Sequence, residues 1–206
     1  MNQPAAFNPL SYESIQDSLS NALMSSELIP LEEVEKFEGN GIYALFYEGD
    51  FPAYRVLSSV EAGTWPIYVG KAAPSTRKGE ETTEDELLGP YTGGPALFLR
   101  MKNHRKSISD ATNLRIEDFS VKLLVLSYIW VPLAETSMIS CYQPVWNKVV
   151  DGFGNHDPGS GRYKGVRPRW DTLHPGRAWA ERLQPRPETP QDIEQDIVEF
   201  LSVSMN

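Results

Sequence analysis

Three short runs of strand-forming residues set the strongest limit on what this chain can fold into. They are GIYALFY at 41–47, PIYVGK at 66–71 and FSVKLLVLSYI at 119–129. Aromatic and β-branched residues beside glycine or proline breaks are typical of strands. A stretch at 96–108 alternates apolar and basic residues at helical spacing, between the second and third runs. The order strand, strand, helix, strand predicts a small α/β domain with a short central sheet.

Three further segments have helical patterns. Residues 11–24 place apolar side chains at helical spacing, which predicts an amphipathic helix that docks on the main domain or on a partner subunit. Residues 133–142 predict a helix that Pro144 stops. Thr189 followed by Pro190 resembles a helix N-cap with proline in the first turn. The helix that follows has an apolar face formed by Ile193, Ile197 and Leu201.

Two long segments lack helix and strand patterns. Residues 72–95 are polar and mixed in charge, which predicts a surface insertion. Residues 151–180 are glycine-rich, basic and aromatic, which predicts an ordered arm without regular structure. These features divide the chain into an N-terminal helical extension at 1–38, a core at 39–150 that carries the insertion, and an arm with a closing helix at 151–206.

Charge is distributed unevenly along the chain. The net charge is −9, yet residues 97–186 contain fourteen Lys and Arg against eight Asp and Glu. A basic segment between acidic ends is compatible with a nucleic-acid partner, although basic surfaces are common on ordinary domains. The single cysteine, Cys141, excludes an internal disulfide and a Cys-rich zinc site. The apolar stretches are too short to span a bilayer and no signal peptide is recognised, so we expect a cytoplasmic protein.

Several polar residues have the chemistry for phosphodiester hydrolysis. This reaction needs an activated water, positive charge for the phosphorane, and help for the leaving oxygen. Arg100 and His104 are four positions apart and therefore share one face of the 96–108 helix. Taken singly, each candidate has a structural interpretation: a solvated basic face, a buried strand tyrosine, or a helix-dipole acid in the case of Glu135.

The ordered set of these residues resembles the GIY-YIG nuclease superfamily. The motifs are GIY at 41–43, YVG at 68–70 with Lys71, Arg100 with His104, Glu135, and PVWN at 144–147. Within the superfamily, PIYVGKA, PVWNKVVDGFGNHDPGSGR and WDTLHPGRAWAE are similar to the type II restriction endonucleases that cut CCGCGG. The resemblance covers roughly residues 37–182. Tyr43 and Tyr68 are 25 positions apart, a longer spacing than is usual in the superfamily, which weakens the analogy to repair or homing nucleases.

The resemblance implies an α+β fold with a central antiparallel three-stranded sheet, and it implies residue roles. Tyr43 is expected to be the general base, with Lys71, Arg100 and His104 supplying the field that favours its phenolate. An alternative is that His104 accepts a hydrogen bond from Tyr43 and either orients it or relays its proton. Arg100 is expected to contact the scissile phosphate, and Tyr68 to position water or phosphate. Glu135 is expected to bind one Mg²⁺, with Mn²⁺ able to replace it, and Asn147 to support this site.

The resemblance also implies what the enzyme acts on and with what partners. The expected substrate is duplex DNA with a palindromic G/C-rich site, CCGCGG, which requires a homodimer with one active site per strand. A cognate DNA methyltransferase is expected to act on the same site without binding this chain. The insertion and the arm are the expected groove-facing parts, with these DNA-binding candidates: Asn155, His156, Arg162, Lys164, Arg167 and Arg169.

Two other functions remain in competition. The first is a structure-specific or repair nuclease with the same chemistry, which would nick branched or damaged DNA without a fixed palindrome. The second is a catalytically silent DNA-binding module. Loss of Tyr43, Arg100 or Glu135 would favour the second, and all three are present.

Overall fold

The structure, a computed structural model, describes residues 11–73 and 94–205. Its centre is a four-stranded sheet made of β1 (Ile29–Pro30), β2 (Gly41–Tyr47), β3 (Tyr68–Ala72) and β4 (Phe119–Val125). The order across the sheet is β1-β4-β2-β3, and every neighbouring pair is antiparallel. The predicted α+β fold with an antiparallel sheet is confirmed, and β3 is at one edge of the sheet among the described strands.

The predicted number of three strands is wrong, because β1 adds a fourth. This strand has only two residues and contains Pro30, so it produces no alternating pattern in the sequence. Proline has no amide hydrogen and is tolerated at a sheet edge, and among the described strands β1 is at the edge and pairs with β4. The strand predicted at 119–129 is also shorter in the structure, since the chain after Val125 turns at Tyr128–Trp130 into the next helix.

The predicted helices are confirmed and two short ones are added. The helices are α1 (Tyr12–Met24), α2 (Ala96–Asp110), α3 (Val131–Tyr142), α4 (Val145–Lys148), α5 (Arg169–Leu173) and α6 (Pro190–Ser204). At the start of α6, the Thr189 side chain accepts from the Asp192 amide and Asp192 accepts from the Thr189 amide, a complete capping box. No helix in the described parts of the chain is both long and apolar enough to cross a membrane.

The two segments predicted to lack regular structure have different outcomes. The arm at 151–180 contains α5, so its prediction as wholly irregular is wrong. Five residues after Pro168 form this helix, which is too short to produce a periodic signal in the sequence. Most of the insertion predicted at 72–95 lies outside the described residues.

Each face of the sheet has its own apolar core. The face that carries Tyr43 packs with α2, the arm and α6, whose Ile193, Ile197 and Leu201 are buried there. The face that carries Ile42 packs with α1 and α3. Helix α1 therefore docks on the main domain, which is the first of the two docking surfaces that its apolar pattern allowed.

A buried hydrogen-bonded network joins the arm to the first core. The Tyr54 hydroxyl lies 2.7 Å from His174 Nε2 and accepts from Trp146 Nε1 at 2.8 Å. His174 Nδ1 lies 3.0 Å from Asn113 Oδ1. Burial lowers the pKa of His174 to about 3, so the ring is neutral at pH 7 and bonds with one nitrogen as acceptor and the other as donor.

This network predicts that stability falls as the solution becomes acidic. His174 titrates near 6.5 in the unfolded chain and near 3 in the folded protein, so the unfolded state binds the proton first. The contribution of neutral His174 to the free energy of unfolding is fully present above pH 6.5 and is lost as the pH falls. We expect a loss of about 2 kcal/mol in the free energy of unfolding between pH 7 and pH 5, measured by urea unfolding.

His174→Gln is the control for this prediction. Glutamine cannot titrate, so this variant should be less stable than the wild type at pH 7 but lose less stability on acidification. Parallel stability-against-pH curves for the two proteins would contradict the assignment.

Candidate active site

The two tyrosines of the GIY and YVG motifs lie side by side because their strands are paired. Tyr43 in β2 is directly opposite Gly70 in β3, and Tyr68 lies on the same face two residues before Gly70. The two rings are 6.1 Å apart. A Cβ atom on Gly70 would lie 2.4 Å from the Tyr43 hydroxyl oxygen, so only glycine leaves room for that hydroxyl. This close approach explains the glycine of YVG.

Helix α2 places two polar side chains over the Tyr43 hydroxyl. His104 Nε2 lies 2.5 Å from that oxygen, and Arg100 donates to it from Nε at 3.3 Å. The two residues are four apart, so the helix presents both to the same side of the sheet. Because Arg100 and His104 share one helix face, as predicted, a guanidinium and an imidazole both contact the phenol of Tyr43.

Burial keeps both partners of the short Tyr43–His104 contact neutral at rest. It raises the pKa of the Tyr43 phenol well above 10, with Tyr68 adding to the rise and Arg100 opposing it. Burial and the charge of Arg100 lower the pKa of His104 well below 6.5. A neutral imidazole accepts through one nitrogen and donates through the other, so the tautomer of His104 decides which partner donates; in the tautomer with the proton on Nδ1, Tyr43 donates and Nε2 accepts. The arrangement can pass a proton from the phenol to the imidazole.

The start of the arm closes this cluster from the solvent side. The Phe153 ring stacks on His104 with 4.4 Å between centroids. A Cβ on Gly154 would lie 2.9 Å from the Tyr68 hydroxyl and 2.8 Å from Arg100 Nη2, so both polar groups converge on this glycine. Arg100 Nη1 donates to His156 Nε2 at 3.0 Å. A segment distant in sequence therefore forms one wall of the site.

Lys71 and Glu135 form an ion pair on the other face of the same edge strand. Lys71 Nζ lies 2.7 Å from Glu135 Oε2. Strand alternation puts Tyr68 and Lys71 on opposite faces of β3. The Glu135 carboxylate still acts on the tyrosine side: burial is the main cause that raises the pKa of Tyr68, and Glu135 contributes in the same direction while Arg100 opposes it. The charge of Glu135 therefore reaches Tyr68 from the other face of the strand.

The electrostatic field at Tyr43 differs from the one predicted. Lys71, Arg100 and His104 were expected to act together as cations. In the structure Lys71 is paired with Glu135 and burial disfavours the charged form of His104. Arg100 is therefore the member of this set whose charge reaches the Tyr43 hydroxyl directly. The Tyr43–His104 contact keeps open the alternative in which His104 accepts from Tyr43.

Asn147 binds backbone rather than another side chain. Its Oδ1 accepts from the Val69 amide at 2.8 Å, and its Nδ2 donates to the Val69 carbonyl at 2.8 Å. Both bonds fall on the outer edge of β3, where no described strand pairs with the Val69 backbone, so Asn147 satisfies these edge groups. Asn147 therefore holds the strand segment that lies between Tyr68 and Lys71.

A divalent cation at Glu135 fits the residues present. The carboxylate is partly exposed, and one of its oxygens accepts from Lys71. Across residues 11–73 and 94–205, no group of three His, Cys, Asp or Glu residues could hold a metal by itself. A hard cation that keeps several waters and takes phosphate oxygens can be bound through one carboxylate. Glu135 would hold such a cation, which would supply positive charge to the leaving oxygen of the substrate.

The six DNA-binding candidates of the arm have different surroundings. Arg167 donates to the carbonyls of Ala180 and Glu181, and Arg169 pairs with Glu188 and Asp196. These two guanidiniums are occupied within the fold. The other four candidates are exposed, and His156 among them touches Arg100. The exposed members are Asn155, His156, Arg162 and Lys164.

Sequence reasoning missed Arg177, which lies behind the active-site wall. Its guanidinium is buried against Asp171 and donates to three backbone carbonyls at 152–155. The motif WDTLHPGRAWAE contains both partners of this ion pair. Two tryptophans, an acid and an arginine within ten residues were the signal that a buried cation was present.

The comparisons with known proteins agree with this geometry. A family model described as the Eco29kI GIY-YIG domain matches residues 35–201. None of the curated proteins gives a significant match. The matched range contains the sheet from β2 onward, both tyrosines, α2 with Arg100 and His104, Glu135 and the arm. Because the match covers most of the sequence, the chain belongs to the Eco29kI GIY-YIG family of restriction endonucleases.

Proposed function

We propose that this endonuclease cuts both strands of duplex DNA at a palindromic G/C-rich site, CCGCGG, with one Mg²⁺ and a tyrosine general base. The observation that carries the proposal is the contact of the Tyr43 hydroxyl with His104 Nε2 at 2.5 Å and Arg100 Nε at 3.3 Å. A phenol, a proton acceptor and a fixed guanidinium within one cluster are the parts needed to activate water beside a phosphate.

The hydrolysis follows from these contacts. A water oxygen attacks the phosphorus and gives its proton to the Tyr43 oxygen, while the phenol proton moves to His104 Nε2. The bond from phosphorus to the sugar oxygen breaks, and that oxygen takes a proton from solvent. Arg100 stabilises the charge that develops on the phosphoryl oxygens. Tyr68 positions the water or the phosphate.

This relay replaces the need for a free phenolate with the need for a protonated His104. A phenol whose pKa is above 10 is almost entirely protonated at neutral pH, so little phenolate is present to accept the proton of water. Transfer to His104 as the water proton arrives avoids a free phenolate, and the negative charge of the scissile phosphate must offset the low pKa of His104 while the proton is there. The proton that accumulates on His104 is then lost to solvent before the next turnover.

The assembly and the wider system belong to the same proposal. Residues 11–73 and 94–205 contain one such cluster, and a palindrome has two equivalent strands, so we propose a homodimer with one active site on each strand. A cognate methyltransferase that modifies the same sequence would protect the host DNA, and we propose a cytoplasmic location for both. The division of the chain into extension, core and arm at residues 38 and 150 is part of this proposal.

Cleavage of plasmid DNA tests the function. Purified protein with Mg²⁺ should convert a supercoiled plasmid that contains CCGCGG into discrete linear fragments, and EDTA should stop the reaction. Sequencing of the fragment ends gives the site. A plasmid without CCGCGG is the matched substrate, and prior methylation of the site should protect it.

Other outcomes point to the competing functions. Nicks at branched or damaged duplexes, without fragments of fixed length, would assign a structure-specific nuclease. Binding without cleavage under both Mg²⁺ and Mn²⁺ would assign a silent DNA-binding module. Discrete fragments with ends at another sequence would keep the enzyme class and replace the CCGCGG specificity.

A further inference from the structure

The buried guanidinium of Arg177 is the most heavily bonded charged group in the described residues outside the catalytic cluster. Only 2% of the residue is exposed. Its Nε and Nη2 donate to the two carboxylate oxygens of Asp171 at 2.6 and 2.5 Å, a bidentate pair. The rings of Trp170 and Trp179 lie 4.5 and 4.7 Å from its Cζ and cover it.

The remaining donors of Arg177 hold one short stretch of backbone. Nη2 donates to the Gly152 carbonyl at 2.9 Å, and Nη1 donates to those of Phe153 and Asn155 at 3.0 and 3.2 Å. Nη1 also reaches Ser107 Oγ on α2 at 3.5 Å. One side chain thus joins residues 152–155 to the helix that carries Arg100 and His104.

The backbone that Arg177 holds is the wall of the catalytic cluster. Phe153 stacks on His104, Gly154 admits the Tyr68 hydroxyl and Arg100, and His156 accepts from Arg100. A shift of this wall would change the position of the proton acceptor and of the guanidinium together. Arg177 itself hydrogen-bonds Asp171, the three carbonyls and Ser107, and none of the catalytic candidates.

We propose that Arg177 is a positioning residue for the nuclease reaction, because its donors fix residues 152–156 against His104, Arg100 and Tyr68. Arginine suits this role because it presents five donors in one rigid plane, whereas lysine has a single ammonium that cannot span a carboxylate and three carbonyls. The kinetic part of this inference rests on the proposed function.

The test compares Arg177→Lys with the control Arg105→Lys. Arg105 also lies on α2 and donates to two backbone carbonyls, those of Leu31 and Val34, away from the catalytic cluster. Two measurements are made on each folded variant. The first is cleavage of duplex DNA with kcat and KM separated; the second is hydrogen exchange of the 152–156 amides with the NMR signals of the His104 and His156 rings.

We expect Arg177→Lys to lower kcat about a hundredfold, the effect of a small misplacement of catalytic groups, with KM near the wild-type value. Amides at 152–156 should exchange faster, and the His104 ring signals should shift. Arg105→Lys should leave kcat and the ring signals unchanged. If Arg177→Lys does not fold, Asp171→Asn gives the same test, since it keeps the guanidinium but removes the charge that orients it.

Two results separate this inference from the proposed function. Unchanged exchange at 152–156 and unchanged ring signals in a folded Arg177→Lys or Asp171→Asn protein would overturn the positioning role, and so would a wild-type kcat. If the wild-type protein does not cleave DNA, the nuclease proposal fails, while the exchange and ring measurements still decide whether Arg177 fixes the wall.

Discussion

Replacement of Tyr43 by phenylalanine is expected to slow DNA cleavage about a thousandfold, within the range of a lost general base. The change removes one oxygen and leaves the ring, so the packing against Tyr68 and His104 is kept. His104 Nε2 loses its hydrogen-bond partner, and an unsatisfied buried polar atom costs about 1–3 kcal/mol of folding stability. Duplex binding, measured by fluorescence anisotropy, should be nearly unchanged because the neutral hydroxyl does not neutralise phosphate charge.

Tyr47→Phe is the matched control. Tyr47 lies on the same strand and face, is also buried, and accepts a hydrogen bond from the Phe51 amide. The Tyr47→Phe change removes a buried hydroxyl that lies outside the catalytic cluster, so cleavage should stay near the wild-type rate. A Tyr43→Phe enzyme that cleaves as fast as Tyr47→Phe would move the base to Tyr68 or His104.

Glu135→Gln is expected to reduce cleavage by about a thousandfold or more at low Mg²⁺, since the charge that a bound metal supplies is worth several kcal/mol. The side chain keeps its size and one oxygen but loses its negative charge. The ion pair with Lys71 is also lost, but both partners are partly exposed and such a pair contributes about 0–1 kcal/mol to stability. The defect should therefore appear in rate rather than in folding.

The metal dependence distinguishes this variant from a general loss of activity. The rate is measured over a wide range of Mg²⁺ and Mn²⁺ concentrations, and part of the activity should return as the concentration rises. Glu48→Gln is the control, because that carboxylate accepts from Ser120 on the sheet, away from the site. Near-normal cleavage by Glu135→Gln at subsaturating Mg²⁺ would remove Glu135 from the metal site.

The elements of the fold that the sequence predicts well are those with a local signal. The run GIYALFY became β2 with the predicted ends, and the Thr189–Pro190 cap began α6 as expected. Periodicity and capping depend on neighbours within a few residues, so they can be recognised without the tertiary structure. The strand at Ile29–Pro30 and the helix at Arg169–Leu173 are too short for any period to show.

The candidate catalytic residues also divide into those that a local sequence signal identifies and those whose surroundings depend on the tertiary structure. Helical spacing placed Arg100 and His104 on one face, and the ordered motifs pointed to Tyr43 and Tyr68. Strand alternation also separates Tyr68 from Lys71, a signal that was present in the sequence and was not used. It explains why Lys71 pairs with Glu135 on the other face and does not add its charge to that of Arg100.

The amino-acid sequence by itself determined the order of the longer helices and strands and which residue types could perform hydrolysis, and its motifs indicated the antiparallel sheet through the family resemblance. Only the tertiary structure decided which charged side chains are already paired within the fold. Arg169 is bound by two acids, Arg167 by two carbonyls, and Arg177 is buried as the anchor of the active-site wall. The reason is physical: a period is set by residues along one segment, whereas the partner of a long polar side chain is set by segments brought together when the core packs.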